Sequence, residues 1–91
     1  MKIDISKFGS ILISRPAGRE AFLAARAYSI PKTGIEVIEL DFSKVRVLTP
    51  SWADEFVSGL RQEFGDRLKI IEGKNASVKM TFETIRESVP V

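Results

Sequence analysis

The stretch DFSKVRVLTPSWADEF, residues 41–56, decides the fold because it joins the end of a predicted strand to the start of a predicted helix. The segment leading into it, IEVIELDF, carries apolar side chains on both faces, which is typical of a central strand covered on both sides. Thr49 or Ser51 can cap the helix, and Ser51 and Asp54 have the spacing of a capping box, although Glu or Gln is usual at the second position. A strand followed by a capped helix predicts an α/β unit.

The helix that begins in this stretch has an apolar stripe at helical spacing and ends at Gly65, a favourable C-terminal residue. Between the strand and the helix, SKVRVLTP is predicted to be an extended connection that contributes apolar side chains to the core. The stripe consists of Ala53, Phe56, Val57, Leu60 and Phe64, and the connection contributes Val45, Val47 and Leu48.

Toward the N-terminus, MKIDIS alternates with the period of a half-buried strand, and SILIS follows closely enough to form an antiparallel hairpin with it. Ser14 can cap a helix with Pro16 in its first turn, and we expect this helix to end near Ser29. The loop IPKTG then leads to the central strand.

Toward the C-terminus, RLKIIEG predicts a short strand, and Asn75 or Ser77 can cap a last helix whose stripe contains Val78, Phe82, Ile85 and Val89. The predicted order is β-β-α-β-α-β-α. We therefore expect an α/β fold, a small mixed sheet with an opening antiparallel hairpin and covering helices. Residues 1–91 are predicted to form one domain, without an internal repeat.

Composition excludes several classes of function. The chain has no cysteine and no histidine, which removes disulfides, thiolate chemistry, cysteine-ligated metals and the usual general base. Its net charge of +2 gives little support to a nucleic-acid partner, and no apolar run has the length of a membrane span. We therefore expect a cytoplasmic protein that is not an enzyme and has no metal and no cofactor.

The loops that lead from strands into helices are the candidate sites, because helix N-termini offer free N–H groups and a partial positive charge. The first loop carries Ser14 and Arg15, and the second carries Thr49 and Ser51. The two hydroxyls of the second loop can be simple caps, or they can be phosphorylation or docking positions. A phosphate there would present new charge to a docking partner.

Other candidate residues have two readings each. Trp52 can be an interface anchor, or it can close the edge of the core. Arg15, Arg19 and Arg26 can grip an anion or form a solvated helix face. Candidates for a magnesium site or for acid–base catalysis are Asp41, Asp54 and Glu55, but their spacing does not bring them together. No glycine-rich phosphate loop is present.

Two segments, ISRPAGREAFL and IELDFSKVRVLTPSWADEFVSGL, make the chain resemble the STAS-like family of small bacterial domains over roughly residues 10–65. That family is similar to the STAS domains of anti-sigma-factor antagonists, so the resemblance implies a helix-covered sheet and a regulatory, non-enzymatic role. In those antagonists a serine at the start of the corresponding helix is phosphorylated by a partner kinase. Here Thr49 falls where they tend to carry aspartate, Pro50 falls on or next to the phosphorylated serine, and Ser51 follows. This departure weighs against phospho-switching and leaves the turn as a docking surface.

The resemblance therefore implies a regulatory protein-interaction module that docks a partner, such as a histidine-kinase-type ATPase or another regulator, through residues 48–56. Thr49, Ser51, Trp52 and Asp54 would form that surface. The alternative is a small-ligand or nucleotide-binding domain that uses the same helix N-terminus, with Arg15 as an anion clamp. A hydrolytic enzyme ranks last because no base is placed to activate Ser51. A homodimer is a further expectation if the opening strand lies at a sheet edge.

Overall fold

A computed structural model describes residues 1–29 and 37–88 of the protein. The strands are β1 (Lys2–Asp4), β2 (Ile11–Leu12), β3 (Ile38–Asp41), β4 (Val47–Leu48) and β5 (Leu68–Ile71). The helices are α1 (Arg15–Ala24), α2 (Pro50–Phe64) and α3 (Ala76–Ser88). A π-helical turn (Ala25–Ser29) extends α1, and short 3-10 turns occupy Ile5–Phe8 and Gly65–Arg67. The described part of the chain is thus a mixed α/β fold. The IPKTG loop, the start of the predicted central strand and Val89 lie outside the described residues.

The strands form two parallel sheets, with the orders β1-β3-β5 and β2-β4. The central strand of the first sheet is β3, which confirms the predicted central position. The prediction that apolar side chains are covered on both faces is wrong, because the buried Ile38 and Leu40 share one face and Val37, next to the strand, is 46% exposed. The predicted antiparallel hairpin is wrong, because β1 pairs in parallel with β3 and β2 pairs in parallel with β4. The 3-10 turn between the first two strands buries Ile5, so the chain moves on to a second sheet instead of folding back on β1.

Residues 2–12 and 38–48 form two similar units, each made of a strand, a turn and a second strand. In each unit the first strand ends at an aspartate, Asp4 or Asp41, whose carboxylate accepts the backbone N–H of the serine two residues later. Asp4 and Asp41 are register partners across β1 and β3. The sequences DISK and DFSK mark the two turns, so the chain contains an internal repeat that the sequence analysis did not expect.

The strand β4 lies where the sequence predicts only an extended connection. One edge of β4 pairs with β2, and side chains of α3 bind the other edge. The Leu48 backbone N–H donates to the Ser77 hydroxyl at 3.1 Å, and the Leu48 carbonyl accepts from Ser77 at 3.2 Å and from Thr81 at 2.6 Å. Asn75 Nδ2 also donates to the Arg46 carbonyl at 3.0 Å. Polar side chains of α3 and of its N-cap Asn75 therefore satisfy the backbone groups on the edge of β4 that no strand pairs with in the described residues.

The helices begin and end largely where the sequence predicts. Their N-caps are Ser14, Thr49 and Asn75, and each accepts the backbone N–H of the residue three positions later. The predicted capping box of Ser51 and Asp54 is wrong, because Thr49 is the cap and Ser51 already lies in the first turn of α2. Among the helices in the described ranges, none combines the length and the apolar character that a membrane crossing requires.

Two glycines allow α1 and α2 to pack closely. A Cβ atom at Gly18 would lie 2.6 Å from the Trp52 carbonyl oxygen, and one at Gly59 would lie 2.6 Å from the ring of Phe22. Both distances are far below van der Waals contact. The two helices therefore pack more closely than larger residues at these positions would permit, and the contact at Gly18 places the α2 N-terminus beside α1.

Candidate functional site

Hydrogen bonds join the start of α2 to the segment that precedes α1. The Thr49 hydroxyl donates to the Ile13 carbonyl at 2.7 Å, and the Thr49 backbone N–H donates to the Leu12 carbonyl at 3.1 Å. The same hydroxyl is the cap acceptor of the Trp52 N–H, at 3.5 Å. Ser14 caps α1 by accepting the Ala17 N–H at 3.2 Å. The two predicted loops are therefore neighbours, and the hydroxyls of Ser14 and Thr49 each cap a helix.

Trp52 belongs to the core. Only 1% of its surface is exposed, and its indole stacks on Phe56 with the ring centroids 4.9 Å apart and an angle of 19° between the planes. The ring of Phe8 lies 6.5 Å from the indole and 5.5 Å from the Phe56 ring. Of the two readings of Trp52, the structure agrees with the closing of the core. The indole packs in the core beside the Thr49 turn and is not an exposed interface anchor.

Arg15 is engaged by carboxylates of α2. Its Nη1 atom lies 3.1 Å from Asp54 Oδ2 and 3.1 Å from Glu55 Oε1, and Asp54 also accepts the Ser58 hydroxyl at 3.1 Å. These hydrogen bonds, first the one that Arg15 donates to Glu55 and then the one that it donates to Asp54, raise the pKa of Arg15. The structure thus brings together two of the predicted site residues, but as an exposed ion-pair cluster. Such pairs contribute little to stability in water.

Arg19 lies one helical turn beyond Arg15 and is exposed. It lines a shallow groove between α1 and α2 together with Arg26, whose Nη2 atom lies 2.7 Å from Glu63 Oε1. The described side chains include no ion-pair partner for Arg19. Arg15 and Arg26 are thus each tied to α2, and the three arginines do not converge on one anion.

Asp41 is buried at the end of β3. Its carboxylate accepts the Ser43 N–H at 2.9 Å and lies 3.6 Å from Lys2 Nζ. The hydrogen bonds from Ser43, followed by the charge of Lys2, hold the pKa of Asp41 below its ordinary value despite burial. On the neighbouring strand, Asp4 Oδ2 lies 3.6 Å from Lys44 Nζ.

Each strand-end aspartate therefore forms an ion pair with a lysine from the other unit of the repeat, Asp41 with Lys2 and Asp4 with Lys44. Asp41 is predicted from the sequence only as an isolated acid, although the recurrence of D-x-S-K indicates the pair. Within residues 1–29 and 37–88, no three potential ligands among aspartates and glutamates come together as they would around a metal ion. Each of the two carboxylates is thus neutralised by a lysine, and the two ion pairs connect the two units of the repeat.

Three exposed aliphatic side chains surround the Thr49 turn and were not predicted as a surface. Ile11 and Val47 are register partners on β2 and β4 and are 58% and 39% exposed, and Ile13, two residues along, is 53% exposed. We call Ile11, Ile13 and Val47 the β2–β4 patch. The prediction that Val47 contributes to the core is wrong, whereas Val45 and Leu48 are buried as predicted.

A cleft of about 340 Å³ lies beside this patch, and Ile11, Ile13, Ser14 and Trp52 are among the residues that line it. The alternation of SILIS was the signal for the patch. It places Ile11 and Ile13 on one face of the strand and Leu12 on the other, and only Leu12 is buried.

The comparisons with known proteins concern the family alone. A search of the curated proteins found no match. A search of the solved structures found none either. A family model, described as a STAS-like domain of unknown function (DUF4325), matches residues 30–78, which include the whole 41–56 stretch but not Ser14 and Arg15. Because this match spans more than half of the chain, the protein belongs to the STAS-like domain family DUF4325.

Proposed function

We propose that the protein is a small regulatory module that binds another protein through the Thr49 turn and the β2–β4 patch. The observation that carries this proposal is the exposure of three aliphatic side chains beside a helix start that hydrogen bonds hold in place. Contiguous exposed apolar surface on a soluble domain commonly marks an interaction site. The proposal refines the docking surface expected at residues 48–56 by adding Ile11, Ile13 and Val47 to it and removing the buried Trp52.

Rigidity of the turn supports the same proposal. Thr49 donates hydrogen bonds to two consecutive carbonyls of the segment before α1. On its other edge, β4 accepts a hydrogen bond from a side chain of α3. A preorganised surface loses little conformational entropy when it binds, so more of the burial energy of its apolar side chains appears as affinity. Each isoleucine that becomes fully buried contributes up to about 1.5–3 kcal/mol, less the part already buried in the free protein.

Ser51 is the hydroxyl better suited to a phosphate switch. Phosphorylation of Thr49 would remove the hydrogen bond that its hydroxyl donates to Ile13 and would disturb the cap of α2. Ser51 lies in the first turn of α2 and is half-buried, so a phosphate on it would meet the positive end of the helix dipole. Its two negative charges would stand next to an otherwise apolar docking surface and weaken binding there. In this proposal the partner is a histidine-kinase-type ATPase or another cytoplasmic regulator.

The alternative function, a ligand or nucleotide site at the same helix N-terminus, receives less support. It needs Arg15 as an anion clamp, and that guanidinium already pairs with Asp54 and Glu55. An incoming phosphate would have to displace two carboxylates or bind beside them against their charge. No observation favours an enzyme built on the same residues.

Affinity capture from the native cytoplasm tests the proposal. Replacing Ile11 and Ile13 by threonine removes apolar surface while keeping β-branched residues in the strand, and we expect partner recovery to fall at least tenfold. The matched control is Leu23→Gln, which removes an exposed aliphatic side chain from α1, roughly 12–15 Å along the helix from its start. Circular dichroism and urea midpoints verify that all variants fold.

A second pair of variants separates capping from docking. Thr49→Ser keeps the capping oxygen, and Ser51→Asp adds a negative charge in the first turn of α2. We expect the first to retain the partner and the second to weaken its binding. Equal recovery with Ile11→Thr/Ile13→Thr, Leu23→Gln and wild-type protein would overturn the proposed surface.

A further inference from the structure

A second concave surface lies away from the Thr49 turn, between α2 and α3 over β5. It is a groove of about 420 Å³ whose floor is formed by Val57, Ile70, Phe82 and Ile85. This volume falls in the range of roughly 300–1,000 Å³ that is typical of small-molecule sites, which are mostly apolar with a few polar groups at defined positions. The groove is therefore large enough for a small ligand with an apolar body.

The charged side chains at the rim of the groove differ in whether they have an ion-pair partner among the described residues. Asp54 is bound by Arg15 and by the Ser58 hydroxyl, and Arg86 pairs with Glu72. Arg61 lines the same rim, and among the described side chains no carboxylate pairs with it. One uncompensated guanidinium thus stands beside an aliphatic and aromatic floor.

From this arrangement we propose that the groove binds a small amphipathic anion, namely a carboxylate with an unbranched aliphatic chain. The guanidinium of Arg61 offers a planar pair of donors that matches a carboxylate. The aliphatic chain would cover Val57, Ile70 and Phe82, with an affinity that rises on the order of fourfold for each methylene buried.

The dimensions of the groove favour this occupant over a protein. A stable protein interface buries about 800 Å² on each partner, so it would extend well past the groove and over the paired charges at its rim. It would have to remove the Asp54–Arg15 and Arg86–Glu72 pairs from water, which is costly. A small carboxylate would leave both pairs hydrated and would meet only Arg61.

Titration of the full chain with octanoate, followed by amide chemical shifts, tests the proposal. Octanol probes the apolar body without the charge, and acetate probes the charge without the body. We expect octanoate to bind about tenfold more tightly than octanol, with shifts concentrated around residues 57–61, 70 and 82–86, and acetate to cause no saturable change. Arg61→Gln should remove the advantage of octanoate over octanol, and Arg61→Lys should restore part of it.

The matched control is Arg19→Gln, which removes another exposed arginine without an ion pair among the described side chains. It should leave octanoate binding unchanged. Octanoate binding that is equal in wild type and Arg61→Gln, or shifts that fall outside the groove, would overturn the proposal. Groove shifts that depend on protein concentration without ligand would do the same, because they would mean that a second copy occupies the groove.

Discussion

Replacing Trp52 by alanine measures how strongly the docking turn depends on the core beneath it. The indole is 1% exposed, so folding removes about 200 Å² of its surface from water, which at about 25 cal/mol/Å² is worth at most about 5 kcal/mol. Large-to-small aromatic substitutions in cores typically cost about 3–5 kcal/mol. A domain of this length has a total stability of about 5–14 kcal/mol. The substitution should therefore remove from about a fifth of the stability to nearly all of it.

Urea unfolding monitored by circular dichroism is the assay. With an m value of about 1–2 kcal/mol/M, a loss of about 4 kcal/mol lowers the midpoint by roughly 2–4 M. The control is Met80→Ala, at an exposed position on α3, which should change the free energy of unfolding by less than about 0.5 kcal/mol. Trp52 is the single tryptophan, so its emission in the wild type should shift to longer wavelength on unfolding.

A loss below about 1 kcal/mol for Trp52→Ala, or native emission already typical of an indole in water, would refute the core assignment. If the loss has the expected size, reduced partner capture by Trp52→Ala reports instability of the fold and does not identify the docking surface.

Three further predictions concern the framework around the turn. Gly18→Ala should lower stability by about 1–2 kcal/mol in urea unfolding despite the better helix propensity of alanine, because its Cβ would meet the backbone of Trp52; an unchanged or higher midpoint would contradict the close helix approach. Thr81→Val should cost about 1 kcal/mol in the same assay through the lost hydrogen bond to β4, and a neutral result would contradict that contact. The Asp41 carboxylate, whose pKa is lowered chiefly by Ser43, should contribute stability at neutral pH that is lost as the pH falls through its ordinary value toward the lowered one. Asp41→Asn should therefore flatten the fall of the urea midpoint between about pH 5 and pH 2, and an equally steep fall in the variant would count against this role.

Local sequence signals were sufficient for the helices and for the central strand. Thr49 followed by proline and an apolar stripe, and Gly65 at the end of that stripe, define α2 through chemistry that lies within a few residues. The family resemblance also followed from a contiguous segment. These features depend on neighbours along the chain, so one sequence contains the information that they need.

Features that depend on distant neighbours were not predicted. The parallel pairing of β2 with β4 joins positions 36 residues apart, and the Arg15 pairs join positions 39 and 40 residues apart. Whether Trp52 faces the core depends on Phe8, which arrives from the first turn of the fold. The repeated D-x-S-K sequences were visible, and comparing the two turns would have suggested matching strand–turn–strand units in place of an antiparallel hairpin.

In the proposed function, a partner covers the β2–β4 patch and the Thr49 turn. The most direct measurement is amide hydrogen exchange of the captured complex compared with the free protein. We expect protection on binding to be concentrated at residues 11–13 and 46–51, with little change along the exposed side of α3. Protection that falls on α3 or on the groove above β5, with residues 11–13 and 46–51 unchanged, would contradict this proposal.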